Sequence, residues 1–257
     1  IQVGIRSGYD AYVPYYITAD QIQFYDTKSP YTPLDVVLGG SGRSVTNIKH
    51  TRNITPYWNA GFHFRKINAD KQIASAGKGD NQTASTAYYV HSDYQSPNGK
   101  YRGLMSVSRI NHKVNEQGGI TIPEGDPINS YFDEDLADAN LSNAYSQDFR
   151  LGLHVYNQYK VRDVFQLYHS MEYIENRNFY RDDPLSPDAD FYDQILINED
   201  STTNQSQTNQ FVNEFGLKGD LSNMFYDFFV QFRNVKYRTT YMPGHKRFFE
   251  NSGGFNP

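Results

Sequence analysis

Residues 58–65 read WNAGFHFR. Trp58, Ala60, Phe62 and Phe64 alternate with Asn59, Gly61, His63 and Arg65, and side chains along a β-strand point to opposite faces with a period of two. In extended form this stretch therefore sets its bulky apolar groups on one face and its polar groups on the other. Two environments fit: a protein core under the apolar face of a soluble sheet, or lipid around a membrane barrel whose polar face lines a lumen. The rest of the chain bears on the choice.

The pattern recurs. Phe149, Leu151, Leu153 and Val155 alternate with Arg150, Gly152, His154 and Tyr156, and Tyr226, Phe228, Val230 and Phe232 alternate with Asp227, Phe229, Gln231 and Arg233. Phe211, Phe215 and Leu217 share a face across from Glu214 and Lys218, as Phe165, Leu167, Met171 and Tyr173 do across from Gln166, Ser170 and Glu172. Fainter versions at 34–38, 45–53, 85–95 and 101–110 bring the count to about nine strands, with no amphipathic helix of four turns. Composition points the same way. The 257 residues are 16% aromatic, with 22 Tyr and 17 Phe, yet mean hydropathy is −0.72. A disordered chain would be poor in aromatics, and a helical membrane protein would carry apolar runs of about 20 residues. The absence of Cys removes disulfides, thiol catalysis and thiolate metal sites. A net charge of −5 without a clustered basic stretch gives no nucleic-acid footprint.

The connections are as informative as the strands. Those at 54–56, 96–99, 161–163 and 221–223 are short and rich in turn formers. Those at 66–83, 111–143 and 176–209 are long and polar, and they alternate strictly with the short ones. Compact soluble domains rarely have loops beyond about 15 residues, whereas outer-membrane barrels have short turns at one end and long loops at the other. The expected fold is all-β, a transmembrane antiparallel up-and-down β-barrel. Its tight turns would be periplasmic, and its long loops and the Gly turn at 39–42 extracellular. Residues 1–33 then form an N-terminal periplasmic or lumenal segment and 34–257 the barrel. Nine strands is odd, and 239–257 reads as an unpaired tail. An open edge in lipid leaves backbone groups unsatisfied, and single-chain bacterial barrels have even counts. The chain is therefore expected to be the N-terminal part of a larger barrel that continues beyond 257.

Residues 24–42, FYDTKSPYTPLDVVLGGSG, and 50–72, HTRNITPYWNAGFHFRKINADKQ, carry a more specific signal. Phe24, Tyr25, Thr27, Ser29, Pro30, Tyr31, Thr32 and Leu34 form one phrase. Gly40, Ser41 and Gly42 form a turn, and Asn53, Ile54, Pro56, Trp58, Asn59 and Gly61 lead to Arg65, Ile67 and Asn68. Together they resemble the putative-porin family of Bacteroidetes outer-membrane β-barrels. NEQGGI at 115–120 is similar to a loop of the same family. The resemblance implies a bacterial outer-membrane location, a place in the cell envelope and a large barrel.

On this reading Asn59, His63, Arg65, Arg150, His154, Glu172, Glu214, Lys218, Asp227 and Arg233 are expected to face the lumen, where opposed charges would set up a transverse field. Trp58, Phe62, Phe64, Phe149, Leu151, Leu153, Phe228 and Phe232 are expected to face lipid. Tyrosines such as Tyr12, Tyr15, Tyr16, Tyr57, Tyr88, Tyr101, Tyr159 and Tyr168 read as an interfacial aromatic girdle. The acidic stretches at 132–140, with Asp133, Glu134, Asp135 and Asp138, and at 181–193 lack calcium-loop spacing. No His-Glu-x-x-His or Gly-x-Ser-x-Gly motif is present, so no enzyme activity, metal or cofactor is expected. The function expected is passive diffusion of small solutes. The alternatives are a non-conducting barrel subunit of an envelope assembly or secretion complex, and a soluble β-sandwich. Partners would be outer-membrane lipid and lipopolysaccharide, with other outer-membrane proteins or lipoproteins.

Overall fold

WNAGFHFR opens a longer strand, Trp58–Asp70, hydrogen-bonded on both sides. The computed structural model describes residues 12, 15–40, 42–73, 77, 79–121, 138–183, 188–192, 201–221, 224–241 and 246–256. In chain order the strands are β1 (Leu34–Leu38), β2 (Ser44–Thr55), β3 (Trp58–Asp70), β4 (Asn81–Gln95), β5 (Tyr101–Asn115), β6 (Ile120–Thr121), β7 (Asp138–Ala139), β8 (Tyr145–Arg162), β9 (Phe165–Asp182), β10 (Thr202–Leu221), β11 (Met224–Tyr241) and β12 (Lys246–Asn256). Ten of them form one sheet in the order β1-β2-β3-β4-β5-β8-β9-β10-β11-β12, every adjacent pair antiparallel, while β6 and β7 pair within a connection. No α-helix occurs among the described residues. This up-and-down meander puts the connections β2–β3, β4–β5, β8–β9 and β10–β11 at one end, and β1–β2, β3–β4, β5–β8, β9–β10 and β11–β12 at the other. β1 and β12 are the sheet edges.

The nine strands read from the sequence are the first nine of this sheet; the tenth, β12, lies in the stretch that read as an unpaired tail. KRFFENSGGFN has adjacent phenylalanines and two glycines, so it shows no period-two signal. Its backbone pairs with β11 from Tyr241↔Lys246 to Gln231↔Asn256, because the ladder recruits main-chain groups whatever the side chains are. The same physics shortens two expected loops. TTNQSQTNQ at 202–210 is the first half of the 20-residue β10, and residues 176–181 are the end of β9 in its ladder with β8. A membrane-spanning strand needs only about 9–11 residues. Beyond that depth water wets the face that meets lipid lower down, both faces are polar, and the hydrophobic alternation fades while pairing continues.

Register fixes the two faces. His63 lies opposite Lys49 and Tyr89, and Phe62 opposite His50 and Val90. Carrying the period of two across the ladders divides β1 to β5 and β8 to β11 between a face on which the segment before β1 docks and an open face. On the open face of β8, apolar and aromatic groups run from Phe149 to Tyr159, interrupted by Asn157. That is about 34 Å of strand, or about 24 Å of height at a tilt of ~45°, which matches the ~25 Å apolar band of an outer-membrane barrel.

Candidate functional site: the polar face and the segment that covers it

The segment before β1 is built from aromatic residues spaced by turns, and it docks on polar and histidine side chains of the sheet. It first joins the sheet plane. Tyr31 N–H donates to the Thr51 carbonyl at 2.9 Å, Thr51 N–H donates back at 3.0 Å, and Lys49 N–H donates to the Pro33 carbonyl at 3.1 Å. It then crosses the covered face. Asn53 Nδ2 donates to Asp26 Oδ1 at 2.7 Å, and the Asn53 side-chain oxygen accepts from the Thr27 amide at 3.2 Å. Phe24 and Tyr25 flank the His91 ring, with centroids 5.7 and 5.9 Å away. A 3-10 turn, Ala19–Gln21, is capped by Thr18. Its Asp20 lies within electrostatic reach of His154 and Glu172.

The deepest anchor is Tyr16, buried with Ala87, Tyr89 and Ile110, with Tyr12, Ile17 and Ile22 packed around them. The Arg150 guanidinium carbon lies 3.6 Å from the Tyr16 ring centroid. Burial, and the Asp148 carboxylate close by, push the Tyr16 phenol above the ordinary tyrosine range. Tyr12 and Tyr15 lie on His112, with centroids at 4.8 and 4.6 Å. His112 belongs to a row that runs straight across the ladders, Ser85, His112, Asp148, Asn178 and Ser206. None of the five is more than 4% exposed.

All ten residues expected to face a lumen lie on this covered face by register. They fall into small groups. Asn59 accepts from the Thr51 hydroxyl at 2.9 Å and donates to Asn53 at 2.7 Å. His63 stacks on Tyr89 with centroids 5.3 Å apart, whereas Arg65 lies between Asn47 and Ala87 in register. Arg150 pairs with Asp148 at 3.3 Å. His154 and Glu172 are direct cross-strand neighbours, with His154 Nε2 and Ser170 Oγ 3.2 Å apart. Val212 separates Glu172 from Arg233, which donates to Gln210 at 2.7 Å. Glu214 accepts from Gln231 at 2.9 Å. Lys218 faces Asp227 across the ladder and donates to the Tyr156 hydroxyl at 2.8 Å, while Asp227 accepts from Tyr168 at 3.0 Å. Opposite charges thus alternate along the wall at short range. The eight apolar residues, Trp58, Phe62, Phe64, Phe149, Leu151, Leu153, Phe228 and Phe232, lie on the open face by the same register.

Two expectations change. Tyr12, Tyr15 and Tyr16 are not girdle residues: their rings pack on the covered face, because His112, Arg150 and Ala87 offer them aromatic, cationic and apolar surfaces there. Tyr168 is also on the covered face, its ring lying over Gly216, where a Cβ would come within 2.2 Å of the ring. The sequence reading missed His112 and Asp148. His112 falls past the end of the expected strand, and a buried Asp is visible only once its cross-strand neighbours are known. Of the acidic residues, Asp133, Glu134 and Asp135 lie outside the described residues. Asp182 accepts from Tyr192 at 2.7 Å. Among the described residues no group of three potential ligands is placed to hold a metal.

A long antiparallel meander with one apolar open face, one polar covered face and connections that differ in length between its ends defines the wall of an outer-membrane-type β-barrel. The family model described as "Putative porin" matches residues 3–253, and the chain belongs to that family. Among solved structures the chain is similar to the siderophore receptor PiuA from Acinetobacter baumannii, with a TM-score of 0.57 and 9% identity over 88% of this chain. At that identity the likeness speaks for the fold alone, and the chain spans 38% of the receptor's length. No curated protein matches it.

Proposed function

We propose that the protein sits in the bacterial outer membrane and passes small polar solutes by passive diffusion along the covered face. One observation carries this reading: register sorts the strand side chains into an apolar band of membrane height and a polar face whose charges are locally compensated. Lipid accepts the first, and the second is suited to water. The Lys218/Asp227 and Arg150/Asp148 pairs give a transverse field instead of a net one, which favours small polar solutes over a single sign of ion. The wall-like fold and the match to a family described as putative porins support a conduit. The described part of the segment before β1, Tyr12 and residues 15–33, occupies part of that conduit and narrows its free width. The same segment favours a second reading, a barrel that does not conduct and serves as a subunit of an envelope complex. Planar-bilayer recording on the natural full-length protein decides between them. Stepwise conductance that scales with bulk salt conductivity supports diffusion. Silent bilayers after verified incorporation overturn it and leave the second reading.

A further inference from the structure

Four cationic side chains on the open face of β5 and β9 stand where the apolar band of β8 ends. Below that level β8 presents Leu151, Leu153 and Val155, and above it Gln147 and Tyr145. Phe149, at the boundary, is gripped from two sides: the guanidinium carbons of Arg109 and Arg177 lie 5.7 and 5.3 Å from its ring centroid. Lys113 Nζ sits 4.2 Å from the Tyr145 ring centroid, and Arg181 is directly opposite Tyr145. Stacking on a ring fixes a guanidinium or ammonium group while leaving its N–H donors free to point outward.

Charge is lopsided here. Neither Arg109 nor Lys113 has a carboxylate partner among the described residues; Arg177 bonds Glu175 at 2.6 Å, and Arg181 bonds Asp183. In register, Lys66 belongs to the row of Phe149 and Arg177, and Lys236 to the row of Leu151 and Glu175. Glu175 is the one carboxylate that the regular ladders place on this part of the open face among the described residues, in a chain whose net charge is −5. The covered face, by contrast, balances acid against base.

We infer that Arg109, Lys113, Arg177 and Arg181 form a binding site for the phosphorylated headgroups of lipids in the outer leaflet, lipopolysaccharide being the source. The site lies on the face that meets lipid and at the end that bears the long connections, the extracellular end of an outer-membrane barrel. The site straddles the upper edge of the apolar band: Arg109 and Arg177 are in register with Leu151 and Phe149 and lie over the Phe149 ring, while Lys113 and Arg181 are in register with Gln147 and Tyr145, at headgroup height. Arg forms bidentate hydrogen bonds with phosphate, and the aromatic floor of Phe149, Tyr145 and Phe179 meets the first acyl carbons. This assignment rests on the outer-membrane reading proposed above.

The test uses the natural full-length protein folded in neutral detergent, where heat-modifiable mobility first reports whether a barrel has formed. Binding is then titrated by native mass spectrometry with diphosphoryl lipid A, with the same lipid stripped of phosphate, and with inorganic phosphate. The protein is expected to bind the diphosphoryl lipid and neither of the others. The Arg109→Gln/Lys113→Gln/Arg177→Gln variant is expected to bind it about 100-fold more weakly, at about fivefold per lost charge next to an anionic headgroup. Arg52→Gln, which removes a cation from the open face near the opposite end, is expected to bind it unchanged. Equal binding of the dephosphorylated lipid, equal binding by the triple variant, or saturation by inorganic phosphate alone each overturns the site. If the triple variant fails to fold, the comparison of the three probes on the parent protein still decides. Failure of the parent to form a heat-modifiable barrel would instead overturn the outer-membrane reading, a result distinct from a folded barrel that ignores the lipid phosphates.

Discussion

Replacing Tyr16 by alanine should release the segment that covers the polar face. Tyr16 is 8% exposed, its ring enclosed by Ala87, Tyr89 and Ile110 and stacked on Arg150. A buried aromatic removes about 150–250 Å² from water, which at ~25 cal/mol per Å² is about 4–6 kcal/mol. An undocked segment is not fully extended, so that figure is an upper bound, and about 3–5 kcal/mol agrees with aromatic-to-alanine changes in cores. Among the described residues Tyr16 Oη makes no hydrogen bond of ordinary geometry, although Asp148 and Arg150 lie close by, so Tyr16→Phe should keep most of the docking energy. The readout is hydrogen exchange in detergent micelles. The Thr27 amide, held by Asn53 Oδ1, and the Gln21 amide, held by the Thr18 carbonyl, should exchange roughly 100- to 3,000-fold faster in Tyr16→Ala, at tenfold per 1.4 kcal/mol. Amides in the β3–β4 ladder should be unchanged. Exchange at Thr27 and Gln21 within a few-fold of the parent would refute the reasoning, because it would show that the segment is held by its backbone bonds to β2 and not by this anchor. In a conducting barrel the same substitution should raise unit conductance.

Two further substitutions probe the wall. Gly216→Ala places a methyl group where the Tyr168 ring now lies. It should lift the ring, break its 3.0 Å bond to Asp227 and destabilise the barrel by about 1–3 kcal/mol. A double-mutant cycle with Tyr168→Ala, read from denaturant midpoints, should then show coupling above ~1 kcal/mol, and strict additivity would contradict the contact. Phe62→Arg puts a charge on the open face inside the apolar band and should hinder assembly by about 2–4 kcal/mol if the residue lies at mid-membrane. Heat-modifiable assembly at parental yield would argue against lipid on that face.

Much of the architecture was legible in WNAGFHFR and its repeats, because the period of two is a property of the extended backbone and needs no knowledge of neighbours. Phe149 to Val155 and Phe228 to Phe232 could be divided into faces from sequence alone, and the alternation of short and long connections implied an up-and-down meander. Strand ends were not legible. At 202–210 and 246–256 the side chains carry no hydrophobic alternation, and only the pairing partner makes the chain a strand. Nor was the covered face legible as a packed surface. Tyr12, Tyr15 and Tyr16 read like interfacial tyrosines, since a ring that packs on His112 or Arg150 looks the same in sequence as one at a headgroup. Asp148 and His112 read as ordinary strand polars, although the fold buries them side by side. The cations Arg109 and Arg177 come from different strands and meet over Phe149 only when register sets them across β8. Local periodicity decides which way a side chain points; what it meets there is decided by residues distant in the chain, brought close by the ladder.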